Sequence, residues 1–140
     1  MICAKSPEEL IQERYFAFVQ RDFKSIYMSY HSEAAFLTFF PECSDYLSYA
    51  FSEIVPNFVL IDCCVLRSKI ESLSAVVLYR QTIRHNGTFI DSLEIGRCRK
   101  GNSDLWFFDA ALRIDRSLLV CDPLVCPWVD LVAGGNDLWI

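Results

Sequence analysis

The chain contains no stretch of about 18 uninterrupted apolar residues, so no membrane span is expected. It is short of positive charge. Thirteen Lys and Arg stand against eighteen Asp and Glu, for a net charge of −5. Nucleic-acid binding ordinarily needs a basic face. The densest basic cluster here, Arg97, Arg99 and Lys100, enters a Gly101-Asn102 turn and reads as a solvated hairpin end. Neither nucleic acid nor membrane is therefore expected as a partner. Histidine is scarce, with only His31 and His85. No linker, low-complexity stretch or internal repeat interrupts the chain. Residues Met1 to Pro7 carry no apolar signal-peptide core, so the expected compartment is the cytoplasm.

What the chain has in plenty is apolar and aromatic mass. Hydrophobic residues make up 53%, including 11 Phe, 6 Tyr and 3 Trp, which excludes a disordered chain. At 140 residues it fits one domain, 1–140, with a core over about 6–113. A domain of that size buries roughly two-thirds of its unfolded surface without needing a metal or disulfide. The apolar excess points to a pocket, a second subunit or a docked tail. The seven cysteines, Cys3, Cys43, Cys63, Cys64, Cys98, Cys121 and Cys126, are odd in number and irregular in spacing. In a cytoplasmic chain they are expected to be reduced. Cys121 and Cys126 could ligate zinc in principle, but no second ligand pair of recognisable spacing and no nearby His accompanies them. No metal and no cofactor are expected.

Ser6-Pro7-Glu8-Glu9 reads as a capping box with Pro in the first helical position. Leu10, Ile11, Tyr15, Phe18 and Val19 then recur at helical spacing. Asp22 caps a shorter helix carrying Phe23, Ile26, Tyr27 and Tyr30, and a third helix follows Ser44 and ends at Pro56. From residue 57 the pattern changes to strands over 57–66, 73–84, 88–99 and 105–113. Asn86-Gly87 is a type I′ hairpin signal. Turn-linked neighbours imply an antiparallel meander. The order of elements predicts an α+β fold, with N-terminal helices packed on a curved four-stranded antiparallel sheet that forms a cone-shaped pocket. Val76, Val77, Leu78 and Tyr79 make the second strand apolar on both faces, so a homodimer through the convex face of the sheet is expected. The segment 114–140 is strongly apolar, with Pro123, Pro127 and Gly134-Gly135 preventing one long helix. It is expected to dock on its own domain or on a dimer partner, or to be offered to another protein.

These elements resemble the NTF2-like (cystatin-like α+β) superfamily, which also houses ketosteroid isomerase and polyketide cyclases. Within it the likeness is to the YchJ-like domain. Three stretches carry it. The first is Ser6-Pro7-Glu8-Glu9-Leu10 leading to Arg14-Tyr15-Phe16-Ala17-Phe18, Asp22 and Ser29-Tyr30-His31. The second is Val76-Val77-Leu78-Tyr79. The third is Glu94 with Arg97, followed by Leu105-Trp106-Phe107-Phe108-Asp109. The flanking cysteine-rich SEC-C zinc motifs usual for YchJ-like proteins have no match here. The resemblance implies a cone-shaped fold and carries no settled activity.

In isomerase-like relatives a Tyr on the first helix works with a carboxylate base after the second. Tyr15 sits at a plausible Tyr position, but Thr38 falls where the base would be, and Thr is not a general base at neutral pH. His31, at a helix end, could act as acid or base, or it could simply bond to backbone. Glu94 and Ser92 share one strand face, as do Tyr79 and Gln81. Asp109 lies two residues from Phe107. The candidate pocket residues are therefore Tyr15, His31, Tyr79, Glu94 and Asp109. Glu94 could instead form a structural ion pair with Arg97 or Arg80. The expected function is a non-catalytic binding or protein-interaction module, taking a small apolar ligand or a protein partner. The alternative is a small-molecule enzyme doing acid–base chemistry on an apolar ligand.

Overall fold

A computed structural model describes residues 1–119, 121–133 and 135–138. The first helix, α1 (Pro7–Val19), begins where the sequence predicts. The Ser6 hydroxyl accepts from the Glu9 N–H at 3.1 Å, and Pro7 occupies the first turn, where no N–H is needed. Its buried stripe is Pro7, Leu10, Ile11, Arg14 and Ala17. Val19, expected on the inner face, is half exposed, and Phe16 is mostly exposed. Asp22 caps α2 (Phe23–Met28) through the Ser25 N–H. A short helix α3 (Phe36–Phe39) follows, which the sequence reading lacked. Next comes α4 (Cys43–Tyr49), continued by a wider π-type turn over Ala50–Ile54.

The four expected strands form an antiparallel meander: β1 (Phe58–Glu71), β2 (Ser74–His85), β3 (Thr88–Lys100) and β4 (Trp106–Ile114). The β2–β3 turn is formed by Asn86 (φ 50°) and Gly87 (φ 83°), the pair of positive φ values that a type I′ hairpin requires. The tail contributes a 3-10 turn at Arg116–Leu118, helix α5 (Trp128–Ala133) and a short fifth strand β5 (Gly135–Leu138) paired to β4. The sheet is thus one strand wider than expected. The expectations attached to Val120, Gly134, Trp139 and Ile140 lie outside the described residues.

Both faces of the sheet are packed. On one face, α1 lies over the sheet with α2 packed beside it, and Val77, Tyr79, Cys98, Trp106, Phe108 and Ala111 join this core. Leu78, Leu93, Ile95, Leu112 and Ile114 point the other way and meet Cys126 and Leu131 of the tail, with Val76 and Trp128 alongside. The apolar outer face that suggested a second subunit is therefore occupied by the chain's own C-terminal segment. Arg67 fastens this cover. Its guanidinium donates to the Pro123 and Cys126 carbonyls at 3.1 and 2.7 Å and lies 4.4 Å from the Trp128 ring centre. The expectation of seven reduced cysteines is corrected at one pair, because Cys121 and Cys126 are joined as a disulfide, their Cα atoms 5.5 Å apart. Turn geometry brings residues five apart to bonding range, a proximity the spacing alone does not reveal.

Candidate functional site

A cavity of about 280 Å³ lies between α1 and the sheet. Its walls are Ile11, Phe18, Phe23, Ile54 and Ile83, with Phe108 and Ala111 from β4. Its exposed rim is marked by Val19, Tyr49, Phe58 and Val59, each at least a third exposed, and by Arg21. The polar groups reaching it are Arg14, Tyr15, Tyr79, Gln81 and Glu94.

The register of β2 and β3 builds one end of the cavity. Tyr79 faces Glu94 across the ladder and Gln81 faces Ser92. The Tyr79 hydroxyl donates to Glu94 Oε1 at 3.1 Å. The Ser92 hydroxyl and the Gln81 amide donate to Glu94 Oε2 at 2.7 and 3.4 Å. Glu94 is only 4% exposed. Burial raises its pKa above the ordinary carboxylate value, against the lowering effects of the Ser92 bond, the Arg113 charge and the Tyr79 bond. Burial likewise pushes the Tyr79 hydroxyl up, with the neighbouring Glu94 adding to it. Among the described residues Glu94 forms neither suggested ion pair: Arg80 pairs with Asp91 at 3.6 Å, and Arg97 is exposed.

Gly96 continues the same strand face. A Cβ there would lie 2.9 Å from Ile11 Cδ1 and 3.1 Å from Phe108 Cε1, so glycine lets α1 settle onto the sheet.

The structure brings three of the five candidates, Tyr15, Tyr79 and Glu94, into the cavity lining and leaves two outside. Tyr15 stands at the edge, with its hydroxyl donating to the Ile61 carbonyl at 2.9 Å. Ile61 is the extra residue of a bulge in β1, so this bond ties α1 to the interrupted ladder. His31 lies elsewhere. Its backbone N–H donates to the Phe108 carbonyl at 2.8 Å, and its Nδ1 accepts from the Glu33 N–H at 3.2 Å. It serves as a backbone joint between the end of α2 and β4. Asp109 also misses the cavity. Arg97 pairs with Ala110 and Cys98 with Phe108, which leaves Asp109 as the additional residue of a bulge. Its carboxylate meets Arg99 at 3.4 Å instead. Thr38, at the expected base position, caps its own turn by donating to the Ala35 carbonyl and does not line the cavity.

Arg14 is the cavity residue that sequence reasoning did not single out. It is 5% exposed. Its guanidinium carbon lies 3.8 Å from the Phe108 ring centre and 4.8 Å from that of Tyr30. One terminal nitrogen donates to the Ser29 hydroxyl at 2.5 Å and the other approaches the Tyr30 hydroxyl at 3.5 Å. The detectable signal was its place in the pattern, since position 14 falls in the middle of the stripe 7, 10, 11, 14, 17.

Among the described residues no cysteine lines this cavity, and burial pushes the Cys63 and Cys98 thiols up to about 12. Among the described residues, one cluster could bring three metal-ligand atoms together, Cys121, Cys126 and Asp130, and its two sulfurs are bonded to each other. Among the described residues, no helix is long and apolar enough to cross a membrane.

No family model matches the chain, and neither does any curated protein. The fold is similar to the solution structure of a SEC-C motif containing protein from Rhodopseudomonas palustris, with a TM-score of 0.65 over 81% of this chain and 83% of that one. The two are 21% identical, so the likeness concerns the fold.

Proposed function

We propose that this protein is a non-catalytic binding module of NTF2-like type that holds a small apolar molecule between α1 and the sheet. The observation that carries this reading is a rimmed cavity with predominantly apolar walls and a few convergent polar groups, the usual make-up of a ligand site. Its volume of about 280 Å³ suits a small molecule. The polar groups support holding more than turnover. Glu94 already accepts three hydrogen bonds, and the Tyr15 hydroxyl is committed to a backbone carbonyl.

Titration with the neutral fluorophore phenylnaphthylamine tests the reading. Saturable binding at one site per chain is expected, lost when the rim residue Val59 is changed to Trp. Binding that ignores Val59→Trp, or no saturable binding, counts against the cavity.

One observation favours a second reading, acid–base chemistry on an apolar ligand. A buried carboxyl with a raised pKa and a tyrosine in contact is a recurrent catalytic pairing. If turnover of a bound ligand is found, Glu94→Gln should abolish it while binding persists.

A further inference from the structure

Arg14 is a cation placed where a cation is costly. Nine-tenths or more of it is buried, and it lines a cavity whose walls are mostly apolar. A buried charge normally has an opposite charge beside it. Among the described residues, no carboxylate lies within 4.0 Å of this guanidinium. Glu94 lines the same cavity but is held by Tyr79, Ser92 and Gln81. The partners of Arg14 are two neutral hydroxyls and the faces of aromatic rings. A guanidinium has five N–H donors in a planar fork. Two are directed at Ser29 and Tyr30, which leaves donors for a further acceptor.

We infer that the ligand of this cavity is a small apolar monocarboxylate, with its carboxylate against the Arg14 guanidinium and its apolar body directed toward the rim at Val59. The inference rests on the binding reading above and adds the head group. A planar carboxylate matches the guanidinium fork in shape and charge. A phosphate would bring more negative charge than one buried cation offsets, and it would desolvate poorly between Phe18, Phe23 and Ile83. An ammonium head group would meet the buried cation directly.

The decisive experiment is isothermal titration of the full chain, at neutral pH, with three probes of equal tail length: octanoate, octanol and octylamine. Octanoate is expected to bind at least about tenfold more tightly than octanol, the ratio that one retained charge-assisted hydrogen bond produces. Arg14→Gln should remove that preference, and Arg14→Lys should keep part of it. Because Arg14 also braces Ser29 and Phe108, the wild-type series decides the matter by itself if the variants do not fold. Equal binding of octanoate and octanol overturns the carboxylate inference and leaves the apolar-cavity reading standing. Preference for octylamine also overturns it, and would make Glu94 the anchoring group. Failure of all three probes, together with phenylnaphthylamine, overturns both readings.

Discussion

Arg14 and Glu94 line one cavity yet keep separate partners, and this separation governs how each behaves. The carboxyl of Glu94 has left water for a site walled by Ile83, Phe108 and Ala111, which favours its neutral form. Its folded pKa therefore stands above its unfolded value. The stability this contributes is fully present below the unfolded pKa and is lost as pH rises through the folded one. Glu94→Gln keeps the shape and the hydrogen-bonding capacity but cannot ionise. We expect the melting temperature of the variant to rise relative to wild type as pH is raised through and above the ordinary carboxylate range, with little difference at the acid end. Melting curves of the two proteins that stay parallel across that range would show that Glu94 is ionised in the fold at no cost. Glu94 itself was legible from the sequence, because residues two apart in a strand share a face. Arg14 was hidden by its neighbours. The run Tyr15-Phe16-Ala17-Phe18-Val19 is so apolar that it draws the eye part-way round the helix, whereas the face that is buried runs through Arg14 and Ala17.

At the scale of the element, the sequence showed most of what local rules control. The Ser6 cap, the type I′ turn and four strands in order follow from side chains acting on their own backbone. The failures came where a face or a partner is set by residues far away in the chain. The bulge at Asp109 shifts the alternation of β4, so that Trp106 and Phe108 and then Ala111 face the helices. Asp109 shares with Phe107 the face turned away from the helices, beside Arg99, so the two-residue spacing held and the face was misjudged; no sequence cue announces the extra residue. His31 lies three residues past the end of α2, and its role is set by the Phe108 carbonyl, a partner 77 positions away in the chain that local reading does not supply. The tail is the other long-range case. Leu131 is fully buried against Leu78, Leu93 and Ile95, although the helix that carries it is only six residues long. A helix that short has little stability of its own and is held by packing. Leu131→Ala should therefore destabilise the protein by about 2–5 kcal/mol, the range for emptying a core leucine site. Urea denaturation followed by tryptophan fluorescence would measure it, and a loss below about 0.5 kcal/mol would show that α5 rests on the sheet without anchoring it.

Over the whole molecule, the sheet has helices on one side and the tail on the other. This accounts for a sequence that is apolar on both strand faces. An antiparallel sheet with one wet face alternates apolar and polar residues, and β2 does not: Val77 and Tyr79 face the helices while Val76 and Leu78 face the tail. The homodimer expectation drew on the same pattern, and sequence alone cannot say whether a tail or a subunit covers such a face. Truncation distinguishes them. A chain ending at Ile114 loses Cys126 and Leu131 from the outer cluster, loses the Arg67 bonds to Pro123 and Cys126, and loses the β5 strand that covers the edge of β4. It would present Leu78, Leu93, Ile95, Leu112 and Ile114 as one apolar patch beside an open strand edge, the two conditions that drive association. We expect the truncated chain to form larger species than the full chain in light scattering at equal concentration, and to unfold at lower urea. A truncated chain with the same mass and the same midpoint as the full chain would mean that the tail is not what closes this face, and the second subunit would then be the better candidate.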